Sequence, residues 1–496
     1  MHNVFYASSQ KYSIELSKLL YNKYRWKPVY WLIDRKDESY LHTLYPSLIT
    51  HSYLDSVKGK LSARIDTNSI PPLDPLLLDK LALNQIIAMN MMDRNDSHSD
   101  DFLFRDRSVF YHRMLNYWFT VIKKCKIDLV IFEEEPHQAS DYILYSLCCE
   151  IGVKTFMMMR TISNLGLLPI EKFEDGNLEL QQKYINQRDK LNGKNIQLDK
   201  KTEAYFSKLQ GSYDEILKDH LWDQVDQVKS LMGRNQDLSV YNKRNIKKFI
   251  SSKFKKYLYR IKLLTGLYSF ENDQKQKRMQ IEDSKQSYLE FSYYRFCTVI
   301  KKRKNANLYR SKSTFDLDLR CNYIYCGLQY QPEKSTCPIG GHFVDQLLMV
   351  KLIAAYLPRG WNLLVKEHPS QFVSNYTRYG DFFRGKRFYD RLLDIPNVKL
   401  VPLSYDSFNL IDNAKAVASV GGSLCWESVA RGIPALCFGY TWYKSCEGIL
   451  EISCEASLKA SIEKVQNGFK VDINKVKLFA KILNEITVNG FVGKVE

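Results

Sequence analysis

Three clusters of residues in this chain have the types and spacing for chemistry on an anionic substrate. The first is Gly421-Gly422-Ser423, set between an apolar run at 416–420 and a segment of helical spacing at 424–431. The glycines let the backbone come close to a ligand, and Ser423 can cap the helix while offering a hydroxyl. Unpaired N–H groups at such a helix start favour an anion, phosphate above all. The second is Lys366-Glu367-His368-Pro369-Ser370, which follows the apolar run 361–366. The residue before a proline is held extended, so His368 is fixed in direction. Its imidazole can donate to a phosphate oxygen, and Lys366 can supply fixed positive charge. The third is Glu133-Glu134-Glu135-Pro136-His137, after the run 128–132. It can supply a general base or bind sugar hydroxyls, although three adjacent carboxylates cannot all turn into one pocket. Plainer readings stand beside these: a tight turn that binds nothing, a structural histidine, a solvated acidic loop. The pairing of His368 with a Gly-Gly-Ser turn about two βα units later favours the functional reading of those two.

The elements that must position these groups read as alternating strands and helices. A strand at 3–7, an amphipathic helix at 11–24 and a strand at 29–33 open the chain, with Ser8, Ser9 and Gln10 in the first loop. Helical segments follow at 78–92 and 107–124. Next come a buried strand at 128–132, a helix starting near Ser140 or Asp141, and a strand at 153–158. The second half repeats the pattern. Strands are expected at 323–328, 361–366, 397–401, 416–420 and 435–438, with helices at 343–356, 387–394, 405–413, 424–431, 458–465 and 476–486. The fold class is therefore α/β, with two Rossmann-like domains facing a cleft. Each cluster then lies at the carboxyl end of a strand, where open parallel sheets bind ligands. The boundaries expected are 1–170 for the first domain, 171–315 for a helical, basic insertion, and 316–496 for the second domain with its closing helices.

At 496 residues the chain exceeds one ordinary core, and 45% hydrophobic with 26% charged residues describes a globular protein. No run reaches the ~18–20 apolar residues of a membrane span, and the N-terminus does not read as a signal peptide. The eleven cysteines are scattered and odd in number, which fits reduced thiols in the cytoplasm. The net charge of +17 implies an acidic partner. Much of it falls in 171–313, where apolar residues at helical spacing over 243–264 alternate with lysines and arginines. That helix suits the anionic inner face of the plasma membrane, and equally a helix packed on the protein with a solvated basic face. No nucleic-acid motif accompanies the charge, so nucleic acid is not an expected partner.

Taken together, Leu328-Gln-Tyr-Gln-Pro-Glu333, Gly340-Gly341, Val365-Lys-Glu-His-Pro-Ser370, Gly421-Gly-Ser-Leu-Cys-Trp-Glu427 and Gly432-Ile-Pro434 resemble the capsule polysaccharide biosynthesis family. These are bacterial GT-B glycosyltransferases related to Kdo transferases. The likeness covers about residues 323–448. It implies an N-terminal acceptor domain, a C-terminal nucleotide-sugar domain, and a saccharide or glycolipid acceptor. The donor is a substrate, CMP- or UDP-linked, and no cofactor is implied. By motif, His368 would contact the donor phosphate, Gly422 and Ser423 would bind it at the helix start, and Glu427 would accept hydrogen bonds from the ribose. The residues' own chemistry adds Gly421 and Lys366 to the phosphate site. Gln331 and Glu333 would sit near the transferred sugar. Gly421-Gly422-Ser423 departs from the paired-serine form of some sialyl- and Kdo-type relatives, which leaves the nucleotide open. Proton removal from the acceptor falls to Glu333, or to one of Glu133–Glu135 with His137. No Asp-x-Asp stands at a strand end (Asp316-Leu-Asp318 lies on a linker), so metal-independent transfer is expected. The alternatives are a nucleotide-sugar epimerase of the same two-domain plan and a non-catalytic capsule assembly or export factor.

Overall fold

A computed structural model describes residues 2–66, 72–94, 102–161, 166–191, 195–216, 288–373 and 384–488. The basic helix expected over 243–264 lies outside the described residues. The chain opens β1 (Asn3–Ala7), helix Lys11–Tyr24, β2 (Lys27–Ile33) and β3 (Ile49–Ser52). It continues through helices Pro75–Lys80, Ala82–Met91 and Phe104–Lys124 to β4 (Leu129–Phe132), helix Ala139–Ile151, β5 (Lys154–Arg160) and β6 (Leu167–Ile170). The second half carries β7 (Tyr323–Gly327), β8 (Asn362–Lys366), β9 (Val398–Leu400), β10 (Ala416–Ser419), β11 (Ala435–Cys437) and β12 (Ile449–Glu451).

Each half forms a six-stranded sheet, ordered β3-β2-β1-β4-β5-β6 and β12-β11-β10-β7-β8-β9. All pairings in the second sheet are parallel, and in the first only β5–β6 is antiparallel. These are two Rossmann-like domains, as the alternation predicts. In each, strand order reverses between the first and fourth strands, β1/β4 and β7/β10, which opens a crevice at the carboxyl edge. Central strands are continuous apolar runs because helices cover both faces of the sheet: every residue of β4, β7 and β10 is buried.

Three details differ from the sequence reading. The helix expected over 78–92 is two, Pro75–Lys80 and Ala82–Met91, broken at the buried Leu81, which closes one and opens the other. β3, β6 and β12 are absent from the sequence reading. All three are short edge strands, and β6 carries Pro169, which a central strand would exclude. The end of the chain also returns to the first domain. Leu167 and Val488 exchange backbone hydrogen bonds (2.9 Å each), and Tyr184 of helix Leu178–Arg188 packs edge-on against Phe479 of helix Ile473–Ile486. One cluster of buried side chains, from Phe5 and Trp118 to Trp426 and Phe479, runs through both halves. No helix among the described residues is long and apolar enough to cross a membrane.

Candidate functional site

The carboxyl edges of the two sheets face each other across a cavity of about 290 Å³. The first domain supplies Glu135 from the loop after β4, and Met159, Arg160 and Thr161 from the end of β5. The second supplies Glu333–Ser335 and Ile339 after β7, Gly422 and Ser423 after β10, and Tyr440–Tyr443 after β11. Aromatic rings make one wall: Trp426 lies 5.0 Å from Trp442 between centroids, and Tyr205 of helix Lys200–Gln210 closes that side.

The acidic loop of the first domain is engaged by the second. Lys334 Nζ donates to Glu134 Oε2 (2.8 Å) and to Glu135 Oε2 (3.1 Å). His137 Nδ1 lies 3.4 Å from Glu134 Oε1, and Arg160 Nε lies 3.9 Å from Glu134 Oε2. Buried Arg94 donates to the carbonyls of His137 and Cys337, tying the β4 loop to the β7 loop. Helix Ala139–Ile151 fixes the loop's exit with a capping box: Gln138 N donates to Asp141 Oδ2 (3.3 Å), which also accepts from Tyr53 Oη (3.0 Å).

This arrangement pushes neighbouring carboxyls apart. Burial would raise Glu134, but Lys334 and His137 outweigh it and hold the group well below the usual carboxylate range. Glu133 goes the other way. Burial and the charge of Glu134 raise it to about 7, against hydrogen bonds from the Gln10 side chain and the Ser9 backbone. Burial would also raise Glu333, yet His137, Arg94 and Lys334 draw it below its ordinary value. Burial raises Asp141 to about 6. One carboxylate stays ionised beside another poised near neutrality, the usual division between a charge stabiliser and a proton acceptor.

The structure thus gathers Glu134, His137 and Glu333 around Lys334, and places Glu333, Gly422 and Ser423 on the cavity wall. Glu133 is next to this group rather than on the wall. Gly422 adopts φ +73°, and its carbonyl accepts from Tyr443 Oη (2.6 Å). Ser423 does not cap the helix as expected. Its backbone is helical (φ −85°, ψ −19°), its side chain makes no cap hydrogen bond, and the helix it opens, Leu424–Ala430, has seven residues. Gly421 is packed inside the turn, its carbonyl accepting from Gln329 Nε2 (3.0 Å).

The remaining predicted residues are not on the cavity wall. Lys366 Nζ donates to the Tyr405 carbonyl (2.6 Å) and Ser407 Oγ (2.9 Å), so its charge is engaged inside the domain. Gln331, 2% exposed, donates to the Val344 carbonyl (2.6 Å) and accepts from Gln346 Nε2 and Arg384 Nη1, both 2.9 Å. Glu427 is buried on the short helix, where its charge bears on Tyr325 and Tyr443. His368 stands at the carboxyl end of β8, with Nδ1 accepting from the Ser370 amide (3.2 Å) and its ring 6.4 Å from Tyr330. A neutral His368 therefore carries its hydrogen on Nε2. Sequence reasoning missed Lys334, Arg94, Arg160 and Arg384. The last is a buried guanidinium that pairs with Glu367 and donates to Gln331 Oε1 and the Gln329 carbonyl.

No protein-family model and no curated protein matches the chain. Among solved structures, the KpsC beta Kdo 2,7 transferase of Thermosulfurimonas dismutans aligns at 15% identity over 37% of this chain and 53% of that one, TM-score 0.23. This chain thus spans about half the length of that protein. The UDP-GlcNAc 2-epimerase of Methanocaldococcus jannaschii aligns at 10% identity over 98% and 100%, TM-score 0.24. The spinosyn rhamnosyltransferase SpnG aligns at 11% identity over 98% and 96%, TM-score 0.23.

Proposed function

We propose that the chain is a glycosyltransferase. It moves a sugar from a nucleotide-activated donor, CMP- or UDP-linked, to a hydroxyl of a growing surface polysaccharide or its lipid-linked precursor. The observation that carries this reading is the cavity walled by strand-end loops of both sheets, with Arg160, Lys334 and a cluster of carboxylates converging on it. In the reaction the acceptor oxygen bonds to the anomeric carbon and that carbon's bond to the phosphate oxygen breaks. The hydroxyl proton passes to a carboxylate, and the electron pair departs on the phosphate. Glu133, poised near 7, suits the proton transfer. The cationic groups of Arg160 and Lys334 on the cavity wall suit the departing charge.

Transfer is expected to be metal-independent, because no Asp-x-Asp pair stands at a strand end and the Glu134–Glu135 pair after β4 is engaged by Lys334. Asp318 of the linker motif instead pairs with Arg320 (2.9 Å). A melting panel with CMP, UDP and GDP tests donor binding, since a ligand that binds only the folded state raises the melting point. One nucleotide should stabilise the chain, and the matching sugar nucleotide should be consumed only with acceptor. Turnover of His368→Ala, which removes the hydrogen-bond acceptor of the Ser370 amide, tests whether the imidazole reaches the donor from its place off the cavity wall. Epimerised sugar nucleotide formed without acceptor would show an epimerase. No stabilisation by any nucleotide would point to an assembly or export factor.

A further inference from the structure

Large apolar side chains are exposed in one part of the first domain more densely than elsewhere among the described residues. Leu76, Leu83, Ile86, Leu103, Phe104 and Val109 all stand in solvent, Phe104 at 77% and Leu76 at 68%. They lie on, or for Leu103 just before, three helices, of which Ala82–Met91 packs on both Pro75–Lys80 and Phe104–Lys124. Leu83 and Ile86 share a helix face. Arg107 Nη1 donates to the Met89 carbonyl (3.0 Å), which draws the start of the third helix, with Leu103 and Phe104, against the end of the second. Six large apolar side chains exposed on neighbouring helices are more than the singly scattered apolar residues of an ordinary surface.

Its surroundings select the occupant. On the third helix, exposed Arg105 and Arg113 flank Val109 at a spacing of four, forming one cationic and apolar stripe. On the same helix Lys123 and Lys124 are exposed against one exposed acid, Asp106, whereas on the first helix Lys80 pairs with Glu150 (3.0 Å) beside exposed Asp74 and Asp79. Apolar side chains set among arginines and lysines, whose long stems carry the charge outward, fit the headgroup region of an anionic bilayer. The patch also neighbours the cleft, since Cys337 of the β7 loop lies with its Sγ 3.5 Å from the Ile87 carbonyl.

We propose that this three-helix patch seats the chain on an anionic membrane surface, with Leu83, Ile86, Leu103 and Phe104 entering the interface. The seating is independent of the glycosyl-transfer reading and of the basic residues at 243–264. Co-sedimentation of the full chain with vesicles tests it, comparing phosphatidylcholine alone with phosphatidylcholine containing phosphatidylglycerol. The anionic vesicles should retain the chain, and high salt should weaken retention. Leu83→Glu/Phe104→Glu should lose binding by about tenfold or more with an unchanged melting point, because both residues are exposed. The control Leu19→Glu, on helix Lys11–Tyr24, should bind as the parent does. A variant that binds as tightly as the parent, or a parent that ignores anionic vesicles, overturns the proposal. So does a parent dimer by light scattering that the double variant dissociates, since a second copy would then be the occupant.

Discussion

Lys334 of the second domain reaches into the first and donates to both Glu134 (2.8 Å) and Glu135 (3.1 Å), carboxylates 200 and 199 residues away in the chain. All three side chains are largely buried. The contact therefore links the two domains where substrate would lie, and it sets the charge state of the loop proposed to take the acceptor's proton.

Lys334→Met should leave Glu135 without the cation it pairs with, and Glu134 with His137 and Arg160, and lower stability by about 3 kcal/mol in urea unfolding. Lys334→Met/Glu134→Gln/Glu135→Gln should recover most of that loss, because the buried charges go together. An equal loss in both variants would mean that packing, not charge, holds the domains here. The pH dependence has a definite sign. Glu134 titrates below its ordinary value of 4.5, so its contribution is present above that value and is lost as the pH falls through the folded one.

Rate should depend on pH through the neighbouring carboxyl. Glu133 must lose its proton to act as a base, so kcat/KM should rise with pH through an apparent value of about 7. Glu134→Gln removes the negative charge that raises Glu133, and the rising limb should move to lower pH by about one unit. Glu133→Gln should lose most of the rate and the limb together. A pH–rate profile for the three proteins decides the point. An unmoved limb in Glu134→Gln would assign it to another group.

Much of this architecture was legible in the sequence, because buried parallel strands are short apolar runs closed by turn residues. Asp128–Phe132, the 323–328 run and the 416–420 run all became strands within one or two residues of their expected ends. Each chemical cluster fell at a carboxyl edge for the same reason. What escaped was everything set by long-range contact. Lys334 reads as one more polar loop residue until Glu134 arrives beside it, and Arg384 carries no local signal for its place against Glu367. Lys366 shows the converse. A cation at a strand end suggests a phosphate ligand, yet Tyr405 and Ser407 engage its ammonium.

Arg384 joins three loops and should affect both stability and donor binding. It pairs with buried Glu367 and donates to Gln331 and Gln329. Gln329 in turn holds Ser419 Oγ (2.9 Å) and the Gly421 carbonyl (3.0 Å). Arg384→Ala strands an uncompensated carboxylate and should cost about 3–5 kcal/mol. Arg384→Met/Glu367→Met should fold better than the single variant yet still bind nucleotide more weakly than the parent. Full nucleotide affinity in the double variant would confine the network to folding.

The two glycines of the β10 turn should respond differently to the same substitution. Gly422 has φ +73°, a region that costs an L-residue about 1–2 kcal/mol, and an added methyl would stand 2.7 Å from the Gln329 side chain. Gly421 has no such backbone demand, and its added methyl would meet only ordinary contacts of 3.7 Å and beyond. Gly422→Ala should therefore displace Gln329 and lower both the melting point and the nucleotide-induced shift. Gly421→Ala should leave the melting point nearly unchanged. If the turn binds donor, Gly422→Ala should also raise the donor KM more than it lowers kcat. Equal effects of the two substitutions on melting point and KM would show that the turn's left-handed residue is not what shapes the site.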